Sequence, residues 1–401
     1  IRDRMKDSGC NYLGMIPSSW STSRLKGYFK ASRTTGRPDA TVLSLYRDYG
    51  IVPKDSRSDN HNVTSLDTSK YKFVEVGDFV INKMKGWQGS MALSAYEGIV
   101  SPAYHVFKFT SPLLLPKYAH YLLRCRSYAD EWHKLSTGLR VGQWDLHVED
   151  FLNTRIPVPS LDEQRRIADY LDEKCAEIDR AVSAAERSIE ELNLYRSARL
   201  EEVITRVSHE APREKLKYVL KESKDKSPDG IGEPLSITIA RGVLRSAELS
   251  IPNPTSSLVG AKIVHAGDLV FNKLKAYYGV MYVSPYNGLI SPEYAVYRAI
   301  DMGRTSLKYL EYVFHTAAMI DEFIIRISGV ADGFRRLYTS DLFDIAVPVP
   351  SIEVQQGIVA ELDDLYASIF ESTEAKQAII ADLKAYKQSL IYEVVTGKRE
   401  V

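Results

Sequence analysis

Cysteine and long apolar stretches are scarce in this sequence. Its 401 residues include three cysteines, Cys10, Cys125 and Cys175, which lie far apart in an odd number. That distribution excludes a closed disulfide framework and a Cys-x-x-Cys zinc site. No run of 18 uncharged apolar residues occurs, which argues against a membrane-spanning helix. The first residues also lack the apolar core of a secretory signal, so we expect a cytoplasmic protein without a membrane partner.

Sequence signatures of catalysis are also missing. The eight histidines form no His-x3-His zinc pair, and we find no Gly-x4-Gly-Lys-Ser/Thr phosphate loop and no glycine-rich cofactor loop. Ser101-Pro102-Ala103-Tyr104 and its later copy, residues 291–294, resemble the Asn/Asp-Pro-Pro-Tyr box of amino-methyltransferases. Serine replaces the amine-binding residue in both copies, and we interpret both as turns. We therefore predict a chain without catalytic residues, metal or cofactor.

Charge is distributed unevenly along a chain whose net charge is zero, with 52 basic and 52 acidic residues. Residues 20–160 contain 19 Lys and Arg against 13 Asp and Glu, whereas residues 161–207 contain 8 against 12 and residues 351–401 contain 5 against 9. A neutral total by itself argues against a nucleic-acid partner. The total nevertheless conceals a pattern, in which basic and acidic segments alternate along the chain.

The sequence contains a long internal repeat. Residues 77–108 and 267–298 match without gaps at 15 of 32 positions. A second match, offset by 191 residues, pairs the Pro-Val-Pro-Ser of residues 157–160 with that of residues 348–351. This period is too long for a solenoid, whose units span about 20–50 residues. The chain is therefore a tandem duplication of a domain followed by a helix.

Each half begins with a mixture of strands and helix. In the first half, β-rich runs at residues 42–46, 73–81 and 104–109 are separated by Gly, Pro, Asp and Asn clusters. Residues 117–134 place apolar side chains at three- and four-residue intervals, which predicts a helix, and residues 306–327 are the counterpart. We predict one small α+β domain in each half.

A long helix follows each domain. Pro-x-Pro-Ser segments end the preceding structure, and Ser160 and Ser351 are suited to cap the helices that start after them. Both helices carry an apolar seam of period 3.5 over more than three heptads, which indicates coiled-coil packing. The seam residues are Leu171, Ile178, Ile189 and Leu192 in the first helix and Ile358, Leu362, Ile369, Ile379, Leu383 and Leu390 in the second.

The predicted fold class is α+β, with two similar domains joined by two long antiparallel helices that form a coiled coil, and with an internal pseudo-two-fold repeat. The segments are an N-terminal stretch 1–20, a first domain 21–157, a first long helix 158–208, a second domain 209–348 and a second long helix 349–401. The alternative is that each seam packs only on its own domain.

Several motifs support a family assignment. They are Leu13-Gly14-Met15-Ile16-Pro17, the twice-used Gly-Asp-x-Val-x-Asn-Lys block, residues 157–164 and residues 390–398. With the order domain, helix, domain, helix, these motifs resemble the specificity subunit of type I restriction-modification enzymes over essentially the whole chain. One small departure is Val354-Gln355, where the family usually has Glu-Gln.

The resemblance implies that each α+β domain is a target-recognition domain, which binds one half of a bipartite sequence in double-stranded DNA. The paired helices then fix the gap between the two halves and dock two modification subunits, which carry S-adenosylmethionine. Restriction subunits add translocation and cleavage, which require ATP and Mg²⁺. The chain itself selects the sequence, and its partner subunits perform the chemistry.

One pair of candidate DNA contacts follows a strand in each domain. Residues 82–89 and 272–279 combine two lysines, aromatic residues and a glycine. Lysines two apart on an extended segment point the same way and are placed to contact a phosphate row. The alternative is a solvated hairpin end whose aromatic residue packs on the domain. The candidates are Lys83, Lys85, Trp87 and Gln88 in the first copy and Lys273, Lys275, Tyr277 and Tyr278 in the second.

A second pair of candidates follows the domain helix. Loops at residues 136–144 and 328–336 share glycines but differ between them. Arg and Gln make bidentate contacts to guanine and adenine, so differing tips on a shared frame suit two half-sites. Ordinary loop drift after duplication is the alternative. The candidates are Arg140 and Gln143 in the first loop and Arg335 and Arg336 in the second.

These features favour a non-catalytic DNA-specificity subunit of a type I restriction-modification complex. Two rigidly spaced domains meet the grooves of one duplex only at particular separations, so the spacing of the domains becomes specificity for the gap. A self-sufficient DNA methyltransferase or restriction-modification fusion is the alternative, against which the missing cofactor loop argues. A coiled-coil adaptor that binds only protein is a third possibility, which the duplicated lysine and aromatic segments disfavour.

Overall fold

The duplication seen in the sequence reappears as two compact units. The computed structural model describes residues 4–47, 50–56, 64–65, 67–136, 144–239, 241–249, 258–327 and 336–401. Unit 1 comprises Ile1–Glu186 and Gln377–Val401, and unit 2 comprises Arg187–Lys376. Each unit contains one α+β head, residues 21–157 or 209–348, together with half of each of two long helices.

The first head is built from short strands and three helices, preceded by two strands of the N-terminal stretch. The strands of the N-terminal stretch are β1 (Met5–Asp7) and β2 (Met15–Pro17). The strands of the head are β3 (Ser21–Arg24), β4 (Phe29–Ser32), β5 (Leu43–Tyr46), β6 (Gly50–Pro53), β7 (Lys72–Val74), β8 (Phe79–Asn82), β9 (Met91–Leu93), β10 (Gly98–Val100), β11 (Tyr104–Phe109) and β12 (Arg155–Val158). Its helices are α1 (Pro116–Arg124), α2 (Arg126–Leu135) and α3 (Val148–Asn153), and the first long helix is α4 (Leu161–Ser208).

The second head has closely matching elements. Its strands are β13 (Arg213–Lys215), β14 (Leu220–Glu222), β15 (Leu235–Thr238), β16 (Gly242–Arg245), β17 (Lys262–Val264), β18 (Leu269–Phe271), β19 (Met281–Val283), β20 (Gly288–Ile290), β21 (Ala295–Ala299) and β22 (Ala346–Pro348). Its helices are α5 (Leu307–Phe314), α6 (Ala317–Arg326) and α7 (Thr339–Phe343), and the second long helix is α8 (Ile352–Val395).

The two heads share one topology. Each has a four-stranded antiparallel sheet, in the order β4-β11-β8-β9 in the first head and β14-β21-β18-β19 in the second. Two-stranded ladders surround it in both heads, and the ladder next to the long helix is β3-β12 or β13-β22. The register also matches, because Phe79 lies opposite Phe107 and Leu269 lies opposite Tyr297. The α+β fold class predicted for each domain is confirmed.

The predicted run 73–81 is two strands rather than one. β7 and β8 are separated by a turn in which Gly77 has φ +92°, a left-handed conformation that favours glycine. The Asp78 carboxylate accepts the Glu75 N–H at 2.9 Å and closes the turn. Gly267 and Asp268 form the same turn in the second head. The repeated Gly-Asp pair is thus explained by backbone geometry.

The predicted helix at residues 117–134 is also divided. α1 and α2 meet at Cys125, whose extended ψ of 151° interrupts the helical hydrogen bonds. In the counterpart, α5 and α6 are separated by His315 and Thr316. α1 and α2 bury their apolar faces in the same core, so the spacing of apolar residues continues across the break between them.

The long helices pack against each other within each unit. In unit 1, residues of α4 share a core with Leu390, Ile391 and Val394 of α8. In unit 2, Leu200 and Val203 of α4 share a core with residues of α8. Among the predicted seam residues, Leu171, Ile178, Ile358, Leu362, Ile369 and Leu390 are buried, whereas Ile189, Leu192 and Leu383 are partly exposed.

Ile379 was wrongly assigned to the seam, because its side chain is 53% exposed and Ile380 packs against the unit 1 core instead. Ten residues after Ile369, a helix has turned about 80° away from the starting face, whereas after eleven residues it has returned to within about 20°. A strict heptad pattern therefore selects the wrong one of two neighbouring isoleucines.

A buried glutamine fixes each long helix to its head. Gln164 is fully buried in the first turn of α4, where its Oε1 accepts the Leu115 N–H at 2.8 Å and its Nε2 donates to the carbonyls of Leu113 and Pro159. Gln355 repeats the arrangement with the Ser306 N–H and the carbonyls of Arg304 and Pro350. We call each of these sets of contacts a glutamine clamp.

Tyrosines of the head helices add further contacts to the clamps. Tyr118 and Tyr309 donate at 3.1 Å to the carbonyls of Pro157 and Pro348, just ahead of the long helices. Each head has a second tyrosine of this kind. Tyr121 donates to the Asp172 carboxylate on α4, and Tyr312 donates to the Asp363 carboxylate on α8. Because these contacts recur in both units, each head has a defined orientation on its own helix.

Replacing Gln355 by alanine is expected to lower the free energy of unfolding by about 2–4 kcal/mol, because the buried side chain makes three hydrogen bonds to backbone groups that the variant loses. Urea unfolding followed by circular dichroism measures the change. Gln356→Ala is the matched control, since the neighbouring side chain is exposed. Equal stability of the two variants would contradict the clamp.

Candidate nucleic-acid interface

The two segments predicted as DNA contacts lie next to each other in each head. The Leu146 N–H, just after the first recognition loop, donates to the Lys83 carbonyl at 3.0 Å. In the second head the Leu337 N–H donates to the Lys273 carbonyl at 3.1 Å. No local sequence pattern predicts this pairing, and its recurrence shows that both heads have the same backbone arrangement here.

The lysine segments are turns rather than extended strands. The Asn82 side chain accepts the Met84 N–H at 3.1 Å, and the Lys85 N–H returns to the Asn82 carbonyl at 3.1 Å. Asn272 forms the same turn. The expectation that both lysines point the same way along an extended segment is therefore wrong, because the asparagine side chain bends the backbone directly after the strand.

The first-head candidates differ in exposure. Lys83 pairs with Asp145 at 3.2 Å, whereas Lys85 and Gln88 are exposed. Trp87 is half-buried, its ring centroid lying 5.1 Å from that of His133 and 5.7 Å from that of Trp144. Trp87 therefore packs on its own domain, as the alternative interpretation of this segment expected.

The second-head candidates present more aromatic surface. Tyr277 and Tyr278 are 37% and 56% exposed, and their ring centroids are 4.3 Å apart. Lys275 is exposed beside them. Lys273 instead points into the domain, where its Nζ lies 3.5 Å from a Glu222 carboxylate oxygen. Exposed aromatic rings beside a lysine are typical of surfaces that bind single-stranded nucleic acid.

The recognition loops are only partly described. Arg140, Gln143 and Arg335 lie outside the described residues. Arg336 is described, and its guanidinium pairs with the Glu293 carboxylate at 2.7 Å. That ion pair places Arg336 beside the turn that precedes β21.

Two lysines that the sequence analysis overlooked belong to this region. Lys72 donates from its Nζ to the Tyr104 carbonyl at 2.5 Å. Burial lowers the pKa of Lys72, and the charges of Lys83 and Arg33 lower it further. Lys262 occupies the same position in the second head. The offset of 190 residues between Lys72 and Lys262 equals that of the lysine segments, so extending the repeat to these positions would have identified both lysines.

The pKa of His105 is shifted by its burial and by the neighbouring positive charge. Burial, followed by the charge of Lys72, lowers the pKa of His105 to about 4. The imidazole is therefore neutral at physiological pH, because an imidazolium would be poorly solvated and close to other cations.

In the second head, the charges of Lys262 and Lys273 are balanced by a carboxylate of the same domain. Glu222 accepts hydrogen bonds from Lys262 at 2.9 Å and from Thr339 at 2.7 Å, and it also pairs with Lys273. The Thr339 hydroxyl in turn lies 3.0 Å from the Tyr297 hydroxyl. These contacts lower the pKa of Glu222 against the opposing effect of burial.

The segments that resemble a methyltransferase box form turns in both heads. The Tyr104 N–H donates to the Ser101 carbonyl at 3.0 Å, and the Tyr294 N–H donates to the Ser291 carbonyl at 3.1 Å. Within the described ranges, no group of three or more His, Cys, Asp or Glu side chains is placed to hold a metal ion. No helix in the described part of the chain is long and apolar enough to cross a membrane.

Comparisons with known proteins agree with this organisation. Residues 17–185 match the family model of the type I restriction modification DNA specificity domain. A solved chain from work entitled "Structural basis underlying complex assembly and conformational transition of the type I R-M system" is similar with a TM-score of 0.71 at 17% identity, covering 96% of this chain and 99% of that one.

A second similar structure is the HsdS subunit from Thermoanaerobacter tengcongensis. Its TM-score is 0.54 at 18% identity, over 96% of this chain and 98% of that one. These similarities support the fold along the whole chain, while the family model matches the first head and the first part of α4. Residues 17–185 therefore carry a type I restriction modification DNA specificity domain, and the second head repeats the topology of the first.

Proposed function

We propose that this chain selects the DNA sequence for a type I restriction-modification complex. Each head binds one half of a bipartite site in double-stranded DNA, and the helix pair sets the gap between the halves. The observation that carries the proposal is the duplication of one head topology, with the same lysine segment and the same neighbouring loop in both copies.

The divergence between the copies supports two different half-sites. The frame is constant, because the asparagine turn and the Leu146 and Leu337 hydrogen bonds recur. The side chains on that frame differ, for example Trp87 against Tyr277. A constant frame with variable side chains suits domains that use the same backbone contacts and recognise different bases.

Continuous helices support the role in spacing. α4 has 48 residues and α8 has 44, so the helices are about 72 Å and 66 Å long at 1.5 Å per residue. Ion pairs between them, such as Lys387 with Asp179 at 2.7 Å and Arg199 with Glu361 at 2.9 Å, add to the apolar packing within each unit. With a glutamine clamp at each head, helix length is then the variable that sets the gap.

Partner subunits complete the proposed complex. Two modification subunits dock on the helix pair and supply S-adenosylmethionine, and restriction subunits supply ATP- and Mg²⁺-dependent translocation and cleavage. The chain itself is not an enzyme in this proposal. The net negative charge of the long-helix segments 161–207 and 351–401 makes them poor DNA-binding surfaces and leaves them available for protein partners.

Reconstitution tests the proposal. The purified chain is combined with its cognate modification subunit, S-adenosylmethionine and genomic DNA that lacks adenine methylation, and the product is sequenced for methylated bases. We expect methylated adenines only within one bipartite sequence, and only when both proteins are present. Methyl transfer by the chain alone would support the self-sufficient methyltransferase instead. Methylation at sites that share no bipartite sequence would contradict the proposal that each head recognises one half-site.

Inserting one heptad after Glu186 in α4 and another after Lys376 in α8 tests the role in spacing. Each insertion lengthens its helix by about 10 Å, and seven residues keep the seam within about 20° of its original face. We expect a longer gap between unchanged half-sites in the same methylation assay.

The matched control for the paired insertion is a heptad in α4 alone. This variant puts the two seams out of register, and we expect it to lose methylation. A paired insertion that methylates the original site with its original gap would contradict the role of the helices.

A further inference from the structure

The two heads keep the same two lysines but surround them differently. Lys72 and Lys83 of the first head occupy the positions of Lys262 and Lys273 in the second. In the second head both ammonium groups face Glu222. The residue at that position in the first head is Ala31, because Ala31 lies opposite Phe107 just as Glu222 lies opposite Tyr297.

Apart from the two lysines, the polar network around Glu222 is replaced by apolar residues in the first head. Thr339, which donates to Glu222, begins α7, and Val148 begins the equivalent α3. Tyr297, whose hydroxyl contacts Thr339, is replaced by Phe107. Glu, Thr and Tyr thus become Ala, Val and Phe, while both lysines remain.

Without a carboxylate at the Ala31 position, the ammonium groups of the first head have N–H donors left for a further anion. An ammonium group has three donors. Among the described residues, the Lys72 ammonium donates to the Tyr104 carbonyl and forms no ion pair. Lys83 pairs with Asp145, whose side chain is 35% exposed. The charges of Lys83 and Arg33 act on Lys72, so this place favours an added anion.

We propose that Lys72 and Lys83 form a seat for one backbone phosphate of duplex DNA in the first head, and that Glu222 closes the equivalent seat in the second. The inference rests on the proposed function and names a contact within it. The seat lies where β7, the start of β11 and the turn after β8 meet, beside the exposed Lys85. A phosphate at this place supplies the negative charge that Glu222 supplies in the second head.

This asymmetry has a measurable consequence in the salt dependence of binding. Each phosphate contact to duplex DNA adds about 0.9 to the slope of log affinity against log salt concentration, because bound counterions are released. The seat in the first head contributes one such contact. The closed seat in the second head contributes none, because both of its lysines already pair with Glu222, whereas in the first head Lys83 pairs with Asp145 and Lys72 forms no ion pair among the described residues.

Fluorescence anisotropy of the full chain with a labelled, random-sequence 30-base-pair duplex, measured from 50 to 200 mM KCl, tests the proposal. For Lys72→Gln/Lys83→Gln we expect a slope shallower by about 0.9, which is about a threefold smaller loss of affinity over this range. The matched control is Lys262→Gln/Lys273→Gln/Glu222→Gln, which removes the same lysines together with their carboxylate. We expect its slope to equal that of the wild type.

Two single substitutions test the same asymmetry while leaving all four lysines in place. Ala31→Glu introduces the carboxylate of the second head and is expected to make the slope shallower. Glu222→Gln removes it and is expected to make the slope steeper by about 0.9. Circular dichroism of each variant checks that the fold is retained.

Equal slopes for the first-head lysine variant and the wild type would overturn the phosphate seat while leaving duplex binding, and so the proposed function, intact. An equal loss of slope in the first-head variant and its second-head control would overturn the asymmetry. A wild-type chain that binds no duplex at any of these salt concentrations would overturn the proposed function and the seat together.

Discussion

A fully buried glutamine amide at the start of each long helix is the contact on which the organisation of each unit depends. Removing an amide from water is costly unless its hydrogen-bonding groups find partners. Gln164 and Gln355 each meet one N–H and two carbonyls. The partners come from the proline segment before the helix and from the loop before the first helix of the head. The clamp therefore joins three parts of the chain at one point.

The clamp also explains why a duplicated chain retains certain residues. Gln164 and Gln355 recur at an offset of 191, as do the tyrosine pairs that contact the same region. These residues hold each head in a fixed orientation on its own helix. The head is then free to vary on its outer segments without losing its placement, which the proposed recognition of two different half-sites requires.

The general architecture was predictable from the sequence because it depends on repetition and periodicity. The repeat, the α+β heads, the strand at 104–109 and the two long helices were all expected. Periodicity indicates only which face is buried, so it did not reveal the interruption at Cys125 or distinguish Ile379 from Ile380. The turn at Gly77 was missed because a left-handed glycine leaves the apolar pattern on either side unchanged.

The candidate site was less predictable, because its properties depend on residues distant in sequence. The lysine segments were identified, but Lys83 faces Asp145 and Lys273 faces Glu222, and no local pattern predicts either pairing. Lys72 and Lys262 could have been found by following the repeat outside its best-matched block. The difference between Ala31 and Glu222 acquires meaning only once the strand register aligns the two positions.

In the proposed function, each head recognises its half-site independently while the helices set the gap. Replacing residues 21–157 by residues 212–348, which begin and end at equivalent places, tests this most directly. In methylome sequencing with the modification partner, we expect one half-site to change to match the other, with the second half and the gap unchanged. A change in both half-sites, or in the gap, would contradict it.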